Sequence, residues 1–427
     1  TVTELSRQNW EGTYPKNYNT EVSVAILSSD KAEEWKDELV GKTYEITENG
    51  TVENPDGVDL GEKYKFGEAN IGQPQLENIN DDFWNKLVSQ ISVNEAIGAV
   101  IHGGSTSDVL TNVDNPNVPQ ADGPTGFKDG RFTNGFRPAV NSQSLLGSSF
   151  NPDLAYDWGV LLGNHGLQLK KYEIWGAGLN YHRTPYNGRN TEYLSEDPML
   201  TNVLGAAQIE GSNSKGIIVG PKHIGFNDQE HDRSGICVYM NEQKFRQTDM
   251  RGFQGAVEDA GALGMMVAFN RLGATNASHS VGMLKKIIRE EWGFKGLIST
   301  DMMNNKYYFN AESCIMATIT MMADFAQGDN YISKSGDKTA GDSTWSYITI
   351  ESASKDQALV DQARENLKYQ LYAFANSALL NITTERVTPW WDATLQGIFI
   401  GSAVLTGLSA AAYVALVVLN TVKKEEE

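Results

Sequence analysis

The sequence predicts an α/β fold, a (β/α)8 TIM-like barrel that carries an N-terminal extension and a C-terminal transmembrane helix. Three observations lead to this fold class. Short apolar runs alternate with amphipathic stretches from about residue 95 onward, which is typical of parallel strands joined by helices. This alternation continues for about 300 residues, a length that favours a closed barrel over an open sheet. An uncharged segment long enough to cross a bilayer lies near the C-terminus.

Composition limits the classes of function. The chain has 427 residues and a formal net charge of −19. This acidity argues against nucleic acid or an anionic membrane surface as the main partner. The two cysteines, Cys237 and Cys314, predict no disulfide framework; they could pair, but two free thiols are the expected state. Residue 1 is Thr and no signal peptide is visible, so we expect a processed or truncated piece of a longer protein.

Residues 1–80 are predicted to be an extended lead-in or linker. Residues 46–67 contain many polar residues and glycines and few large hydrophobic side chains, so they are not expected to form a core domain. A helix is expected to begin near Asn80, with Phe83, Leu87 and Ile91 on one face. The barrel is then predicted over residues 81–385.

Within the barrel, strands and helices are predicted in alternation. Residues 173–178, 217–219 and 264–268 have the composition of short strands. Asn151-Pro152 is a favourable helix start, with a capping Asn and a Pro at the first position. A second helix is expected through Phe245 and Ala260. The predicted apolar face of the first helix consists of Leu154, Trp158, Leu161, Leu162, His165 and Leu169.

The stretch from Glu291 to Asp301 combines a helix end, a turn, a strand and a carboxylate. Gly293 occupies the position where a helix favours a left-handed residue. Leu297-Ile298 has the apolar composition of a strand buried on both faces. Asp301 then lies at the carboxyl end of that strand, where parallel α/β barrels hold their catalytic residues. The alternative is that Asp301 caps the next helix or lies in a solvated loop.

Three further polar clusters follow predicted strands. Asp122-Gly123-Pro124 has the composition of an ordinary turn, but its acid could also belong to a site. Residues 180–198 hold several paired charges and aromatic residues, which indicate either a binding site or a salt-bridge network that stiffens a loop. Residues 221–233 begin with Lys222-His223, whose polar groups could bind sugar hydroxyls or belong to a salt-bridged surface loop.

Residues 397–419 form an uncharged run that predicts a membrane span, assigned to residues 395–420. A buried core helix is the alternative, but such helices are rarely this long and uncharged. Trp390 and Trp391 precede the span, and Lys423 and Lys424 follow it. Because positive residues favour the cytoplasmic side, we expect a single-pass protein of the cell membrane, with the barrel outside and residues 421–427 as a cytoplasmic tail.

Taken together, these clusters resemble the N-terminal barrel domain of glycoside hydrolase family 3, in the form that domain-permuted members of the family carry. The matching motifs are Asp122-Gly123-Pro124, Gly188-Arg189-Asn190 with Glu192-Tyr193 and Ser195-Glu196-Asp197-Pro198, Lys222-His223 with Asn227 and Gln229-Glu230, Met266 to Asn270, and Glu291-Trp292-Gly293-Phe294-Lys295-Gly296 followed by Thr300-Asp301.

 The resemblance covers roughly Phe83 to Asn381. Each motif alone is weak, but five in the family's order are specific.

The resemblance implies an enzyme and a set of site residues. The family contains β-glucosidases, β-xylosidases and related exo-acting enzymes, so the implied substrate is an oligosaccharide or glycoside. Asp301 matches the catalytic nucleophile of a retaining β-glycosidase, and Asp122 matches the acid that holds the distal hydroxyls of the sugar. The other matching hydroxyl-binding residues are Arg189, Lys222 and His223. Lys222 and Arg189 are expected to keep Asp301 ionised.

Two positions depart from the family pattern. Many members carry Trp directly after the nucleophile, where this chain has Met302, and others carry Tyr where Phe269 stands. Both positions belong to the substrate pocket, so an altered subsite is expected. No HExxH motif, cysteine cluster, calcium loop or phosphate-binding glycine motif is present, and neither a metal nor a cofactor is expected.

The general acid is not evident in this sequence. A retaining glycosidase needs a protonated acid about 5–5.5 Å from its nucleophile. In most of the family this acid is a Glu from a second, α/β sandwich domain, for which the chain has no room after Asp301. A family subgroup that uses a His-Asp dyad is a poor match, because its loop after Lys-His is richer in glycine than Asn227-Asp228-Gln229-Glu230.

Residues 5–15 resemble the segment that precedes the barrel in permuted family members. The expected order is therefore sandwich domain, connecting module, this barrel and membrane anchor. A chain without the sandwich domain would carry the nucleophile and lack the acid, unless an internal acid such as Glu192 or Glu230 replaces it. Two other functions stay open: a catalytically silent, membrane-anchored carbohydrate-binding barrel, and a lyase or aldolase that uses Lys222 as a Schiff base.

Overall fold

The structure is a computed structural model, and it describes most of the chain. The described residues are 44–47, 49–102, 106–107, 110–127, 139–227, 229–230, 233, 236–273, 275–302, 310–322, 350–381 and 390–426. The chain divides into two units, of which the first ends at Asn381 and the second begins at Ile382.

Parallel strands in sequential order form the centre of the first unit. Strand β2 pairs in parallel with β3, and β3 with β4; β6 pairs in parallel with β9, and β9 with β10. A parallel bridge between Ile224 and Val267 joins the β4 and β6 sides. The bounds of these strands are β1 Thr106–Ser107, β2 Val118–Asp122, β3 Glu173–Gly178, β4 Ile218–Lys222, β5 Cys237–Val238, β6 Gly264–Val267, β7 Arg271–Leu272, β8 Thr275–Asn276, β9 Leu297–Met302 and β10 Thr320–Met322.

The strand series curves toward closure, but the predicted count of eight parallel strands is not reached in the described residues. They contain six parallel strands in this series, with β1 antiparallel to β2 at its edge. Only ten residues separate Ser107 from Val118. Such a connection forms a hairpin, because a parallel crossover needs about a dozen residues or more. Helix α2 (Val93–His102) contacts both β1 and β10, so the two ends of the series lie against the same helix.

Helices alternate with the parallel strands, as the sequence predicts. Helix α4 begins at the predicted Asn151-Pro152 start, where the Asn151 side chain accepts hydrogen bonds from the backbone N–H groups of Asp153 and Leu154. The helix bounds are α1 Asp82–Ser89, α2 Val93–His102, α3 Gln143–Gly147, α4 Pro152–Leu169, α5 Pro198–Asn213, α6 Glu242–Lys244, α7 Arg251–Glu258, α8 Ala311–Met316, α9 Ile350–Ala353, α10 Gln357–Ala375, α11 Ala378–Asn381 and α12 Trp390–Glu426.

The predicted apolar face of α4 is right in part: Leu162 is buried, and Trp158 and Leu169 pack against the core, but Leu154 and Leu161 do not. Leu154 and Leu161 are 46% and 40% exposed, whereas Gly159 and Gly163 are buried. An added Cβ on Gly159 would lie 1.9 Å from the carbonyl oxygen of Gln208 on α5. Small residues therefore form the close contact between these two helices, and this contact turns Leu154 and Leu161 outward.

The described part of the N-terminal segment is extended and packs against the rest of the first unit. Short 3₁₀ turns, Phe66–Glu68 and Pro74–Leu76, interrupt it. Val52 donates its backbone N–H to the carbonyl of Ser354 near α10, and Phe66 is fully buried. Residues 1–43 of the predicted lead-in lie outside the described residues.

The stretch that leads to Asp301 follows the prediction closely. A π-helical segment, Gly282–Glu291, buries Leu284, Ile287 and Ile288. Gly293 has φ +74°, in the left-handed region that the sequence predicts there. Strand β9 is flanked by β6 and β10, so its buried Leu297 and Ile298 are those of a central strand.

The second unit contains one long helix among its described residues, α12 (Trp390–Glu426). Within it, residues Ala393–Lys424 are long and apolar enough to cross a membrane. The predicted span at residues 395–420 falls inside this range. Both cysteines are free thiols; Cys314 is buried and Cys237 is half-buried.

Candidate active site

Polar side chains from several strand ends meet at the carboxyl edge of the parallel strands. Asp122 is the last residue of β2, Lys222 is the last residue of β4, and Asp301 lies one residue before the end of β9. His223 follows Lys222 directly, through a cis peptide bond. Arg189 comes from the loop after β3, just before the 3₁₀ turn Asn190–Glu192. The structure therefore brings together five of the seven predicted site residues.

Ion pairs connect these side chains around Glu192. Lys222 Nζ lies 2.6 Å from Asp122 Oδ1 and 3.0 Å from Glu192 Oε1. Arg189 Nε donates to Glu192 Oε2 at 2.7 Å, and Arg189 Nη2 lies 2.6 Å from the same oxygen. Each carboxylate oxygen of Glu192 thus contacts a different cation.

His223 lies between this ion-pair cluster and Asp301. Its Nε2 is 3.2 Å from Arg189 Nη2 and 3.5 Å from Asp301 Oδ2. Its Nδ1 is 3.3 Å from the hydroxyl of Tyr193, which accepts a hydrogen bond from Asn227 Nδ2 at 2.5 Å. The imidazole is only 2% exposed, so these contacts fix its plane and position.

Asn180 holds the backbone on which His223 sits. The Asn180 side chain accepts a hydrogen bond from the backbone N–H of His223 at 2.7 Å and donates one to its carbonyl oxygen at 2.9 Å. A buried amide that satisfies both polar groups of one residue restricts that residue's position.

Asp301 is partly accessible at the edge of the cluster. Its side chain is 14% exposed, compared with 3% for Lys222 and 54% for Asp122. Next to it, Thr300 Oγ1 accepts a hydrogen bond from the backbone N–H of Met322, which ties β9 to β10 below the carboxylate. A carboxylate held on a buried central strand and still open to a ligand has the placement that a nucleophile requires.

The buried cations keep their charge because of their partners. Burial alone acts to lower the pKa of Lys222, but Asp122 and Glu192 outweigh it and the pKa is raised. Burial also acts to lower the pKa of Arg189, but its neighbours Tyr193, Glu192 and Asp301 raise this pKa above the ordinary value. Both side chains are therefore donors only.

Glu192 and His223 respond in opposite ways to the same cations. Burial acts to raise the pKa of Glu192, but Lys222 and Arg189 lower it below its ordinary value, so this side chain is a carboxylate. Burial, followed by the charges of Arg189, Lys222 and Arg233, holds the pKa of His223 well below its ordinary range. His223 is therefore neutral at physiological pH.

The last two predicted residues lie at the edge of this group. Phe269 follows β6 and is 7% exposed, and the guanidinium of Arg233 lies 4.7 Å from the centre of its ring. Met302 ends β9, next to Asp301, and its side chain lies outside the described residues.

Sequence reasoning missed three contributions to this site. The sequence suggested Glu192 only as a candidate general acid, whereas in the structure its side chain bridges two cations. Sequence reasoning also passed over Tyr193 and Arg233, although both stand in the quoted polar clusters. The density of paired charge in residues 180–198 was the available signal, but the choice of partners depends on side-chain geometry that no sequence pattern specifies.

Comparison with known sequences identifies the protein family of this chain. The profile of the Glycosyl hydrolase family 3 N terminal domain matches residues 102–322, just over half of the chain. Probable beta-glucosidase K of Emericella nidulans is 36% identical over 187 residues, which cover 44% of this chain and 22% of that protein. Beta-glucosidase A of Butyrivibrio fibrisolvens is 28% identical over 306 residues, which cover 68% of this chain and 35% of that protein.

The chain matches only a part of the length of each relative. The chain spans between 22% and 27% of the first seven curated relatives that it matches, or about a quarter of their length.

Solved structures show the same fold. A beta-glucosidase from Paenibacillus barengoltzii has a TM-score of 0.61 and 24% identity, and the match covers 84% of this chain and 37% of that one. Beta-glucosidase 3B from Thermotoga neapolitana, in complex with alpha-D-glucose, has a TM-score of 0.59 and 24% identity, with 70% and 43% coverage. These structures show that the fold is a TIM-like barrel, and the match of the family profile to more than half of the chain shows that the chain belongs to glycoside hydrolase family 3.

Proposed function

We propose that this chain carries the nucleophile and sugar pocket of a retaining, exo-acting β-glycosidase of the β-glucosidase type. The substrate is a terminal, non-reducing sugar of an oligosaccharide or glycoside, and the role is carbohydrate catabolism. The observation that carries the proposal is the convergence of Asp122, Arg189, Lys222 and His223 beside Asp301, at the carboxyl edge of parallel strands.

In the proposed reaction, Asp301 attacks the anomeric carbon of the sugar. One carboxylate oxygen forms the new C–O bond while the bond to the leaving group breaks, and the leaving oxygen takes the electron pair. Water then cleaves the glycosyl-enzyme ester, so the anomeric configuration is retained. Asp122, Arg189, Lys222 and His223 would hold the sugar hydroxyls, with Phe269 and Met302 at the pocket wall.

The general acid is proposed to come from another domain. Glu192 is unsuited to that role because both of its oxygens are in ion pairs and its lowered pKa keeps it ionised. Glu230 is paired with Arg233 at 3.3 Å, and its side chain is 43% exposed. A separate sandwich domain, as the family resemblance implies, is therefore the partner that we propose for catalysis.

We further propose that the protein is held in the cell membrane as a single-pass protein, with the barrel outside and the tail cytoplasmic. The support is the length and apolar character of residues Ala393–Lys424 and the lysines at the end of the helix.

The proposal is tested with two β-D-glucosides that differ in their need for a general acid. The first is 2,4-dinitrophenyl β-D-glucoside, whose leaving group departs without protonation, and the second is cellobiose, whose leaving group needs it. The chain is expected to hydrolyse the first with retention, followed by NMR, and to leave cellobiose largely intact. Binding of glucose without turnover of either glucoside would instead favour the silent carbohydrate-binding barrel.

Schiff-base chemistry at Lys222 is disfavoured. An amine that attacks a carbonyl must be neutral, but Lys222 is paired with two carboxylates and its pKa is raised. Borohydride trapping with substrate is expected to leave the mass of the chain unchanged.

A further inference from the structure

Glu192 joins the two buried cations of the candidate site through separate oxygens. Oε1 faces Lys222 Nζ at 3.0 Å, and Oε2 faces Arg189 Nη2 at 2.6 Å. The Glu192 side chain is 17% exposed, like that of Arg189, while that of Lys222 is 3% exposed. Ion pairs with this little solvent access act strongly on neighbouring charges.

This bridge is connected to Asp301 through Arg189 and His223. Arg189 Nη2 contacts both Glu192 and the Nε2 of His223, and that same Nε2 lies 3.5 Å from Asp301 Oδ2. The charge of Asp301 in turn acts on Arg189. The position of the guanidinium therefore depends on Glu192 on one side and influences Asp301 on the other.

We propose that Glu192 is a positioning residue for Asp301: it fixes Arg189 and Lys222 in place and offsets their positive charge beside the nucleophile. The proposal rests on the glycosidase function proposed above. It assigns Glu192 no contact with the sugar and no proton transfer.

The charges around Asp301 predict the direction in which the pH dependence of its ionisation changes when Glu192 is replaced. Among the described residues, the ionisable groups around Asp301 are Asp122 on β2, Arg189, Glu192 and Tyr193 after β3, Lys222 and His223 on and after β4, and Arg233. Replacing Glu192 with Gln removes a negative charge and leaves Arg189 and Lys222 with less compensation. Both changes favour the ionised form of Asp301, so Asp301 would remain ionised to lower pH.

The test measures how fast Asp301 is trapped as a function of pH. The probe is 2,4-dinitrophenyl 2-deoxy-2-fluoro-β-D-glucoside, whose activated leaving group makes adduct formation independent of a general acid. For Glu192→Gln we expect the second-order rate constant to fall about tenfold to a hundredfold. We also expect the acidic limb of the pH profile to move about one pH unit lower.

A second variant separates charge from bridging. Glu192→Asp keeps the charge but is too short to reach both cations, so the rate is expected to fall while the acidic limb stays at the wild-type pH. Glu210→Gln, the same change on the exposed side of α5, is expected to match the wild type in both measurements. Circular dichroism and melting temperature verify that each variant is folded.

The outcomes distinguish this proposal from the function on which it rests. An unmoved acidic limb in folded Glu192→Gln, or a wild-type rate in Glu192→Asp, would overturn the positioning role while the glycosidase function stands. If the wild-type chain forms no adduct at all, the proposed function fails and the positioning role fails with it.

Discussion

The chemistry of Lys222 is decided by the residues that surround it. An amine that is 3% exposed loses most of its hydration, which acts to lower its pKa. Asp122 and Glu192, at 2.6 and 3.0 Å, reverse that effect. Lys222 therefore stays an ammonium group with donors only, as a residue that holds sugar hydroxyls requires.

Asp122→Asn tests the sugar-binding side of this pair. The amide keeps the shape of the side chain but removes the charge that faces Lys222 and weakens the hydrogen bonds offered to a sugar. We expect the KM for 2,4-dinitrophenyl β-D-glucoside to rise about tenfold. Asp153→Asn, an equal change of charge on the exposed first turn of α4, is the control. Equal KM values in the two variants would contradict the proposal that Asp122 belongs to the sugar pocket.

Residue identities at this site were largely readable from the sequence, but their partners were not. Asp122, Arg189, Lys222, His223 and Asp301 meet as predicted, because carboxyl ends of parallel strands share one edge. The sequence also led us to expect that Lys222 and Arg189 bind sugar hydroxyls and keep Asp301 ionised. In the structure both cations pair with Glu192. Differences of tenths of an ångström in side-chain position determine this pairing.

At the scale of elements, the π-helical segment and β9 form the support of Asp301. Arg289 is buried in this segment and donates to Thr318 Oγ1 at 2.8 Å and to the carbonyl of Gly296 at 3.0 Å. Burial lowers the pKa of its guanidinium to about 10. The side chain thus fastens the segment to the start of β9 and to the region before β10.

Two glycines in this support are expected to respond differently to substitution by alanine. Gly293 has φ +74° and nothing within 4 Å of an added Cβ, so Gly293→Ala is expected to lower the free energy of unfolding by about 1 kcal/mol. At Gly296 an added Cβ would lie 2.1 Å from the carbonyl oxygen of Leu263. Gly296→Ala is therefore expected to cost about 3 kcal/mol. Urea unfolding measures both, and a larger loss in Gly293→Ala would contradict the packing described here.

The order of the elements was predictable, whereas the buried face of α4 was predictable only in part. Alternation of apolar runs gave α4, β3, β4, β6 and β9 in their observed order. The apolar pattern placed Leu154 and Leu161 on the buried face of α4, but both are exposed, and Gly159 makes a close contact with α5. Close packing between two helices depends on both partners, so the pattern of one helix alone could not show it.

At the scale of the whole molecule, the core contains an acid that the proposed chemistry does not use. Glu173 begins β3 and is fully buried, and among the described residues neither of its carboxylate oxygens has a hydrogen-bond partner. Burial raises its pKa well above the ordinary value, so the folded protein holds this side chain protonated.

The pH dependence of stability follows from this raised pKa. Glu173 contributes no penalty below its unfolded pKa, near 4.5, and an increasing penalty as pH rises toward its folded pKa. Glu173→Gln, which cannot ionise, is expected to melt a few degrees above the wild type at pH 8 and close to it at pH 4. Melting temperatures across this pH range provide the check, and parallel curves for the two proteins would argue against a protonated Glu173.

The long helix of the second unit predicts how the protein partitions between membrane and solution. The most apolar 18-residue window within Ala393–Lys424 has a mean hydropathy of 2.1, and 0% of it is buried. We expect the full chain to remain in the membrane fraction after carbonate extraction, and a chain that stops at residue 389 to be released into the soluble fraction. Release of both chains into the soluble fraction would contradict the proposed membrane anchor.

The identity of the nucleophile is tested most directly by mass spectrometry of the chain after reaction with 2,4-dinitrophenyl 2-deoxy-2-fluoro-β-D-glucoside. The account predicts one added fluoroglucosyl group, found on the peptide that contains Asp301 and absent from a folded Asp301→Asn variant. A chain that binds glucose but acquires no adduct, or an adduct on any other residue, would contradict it.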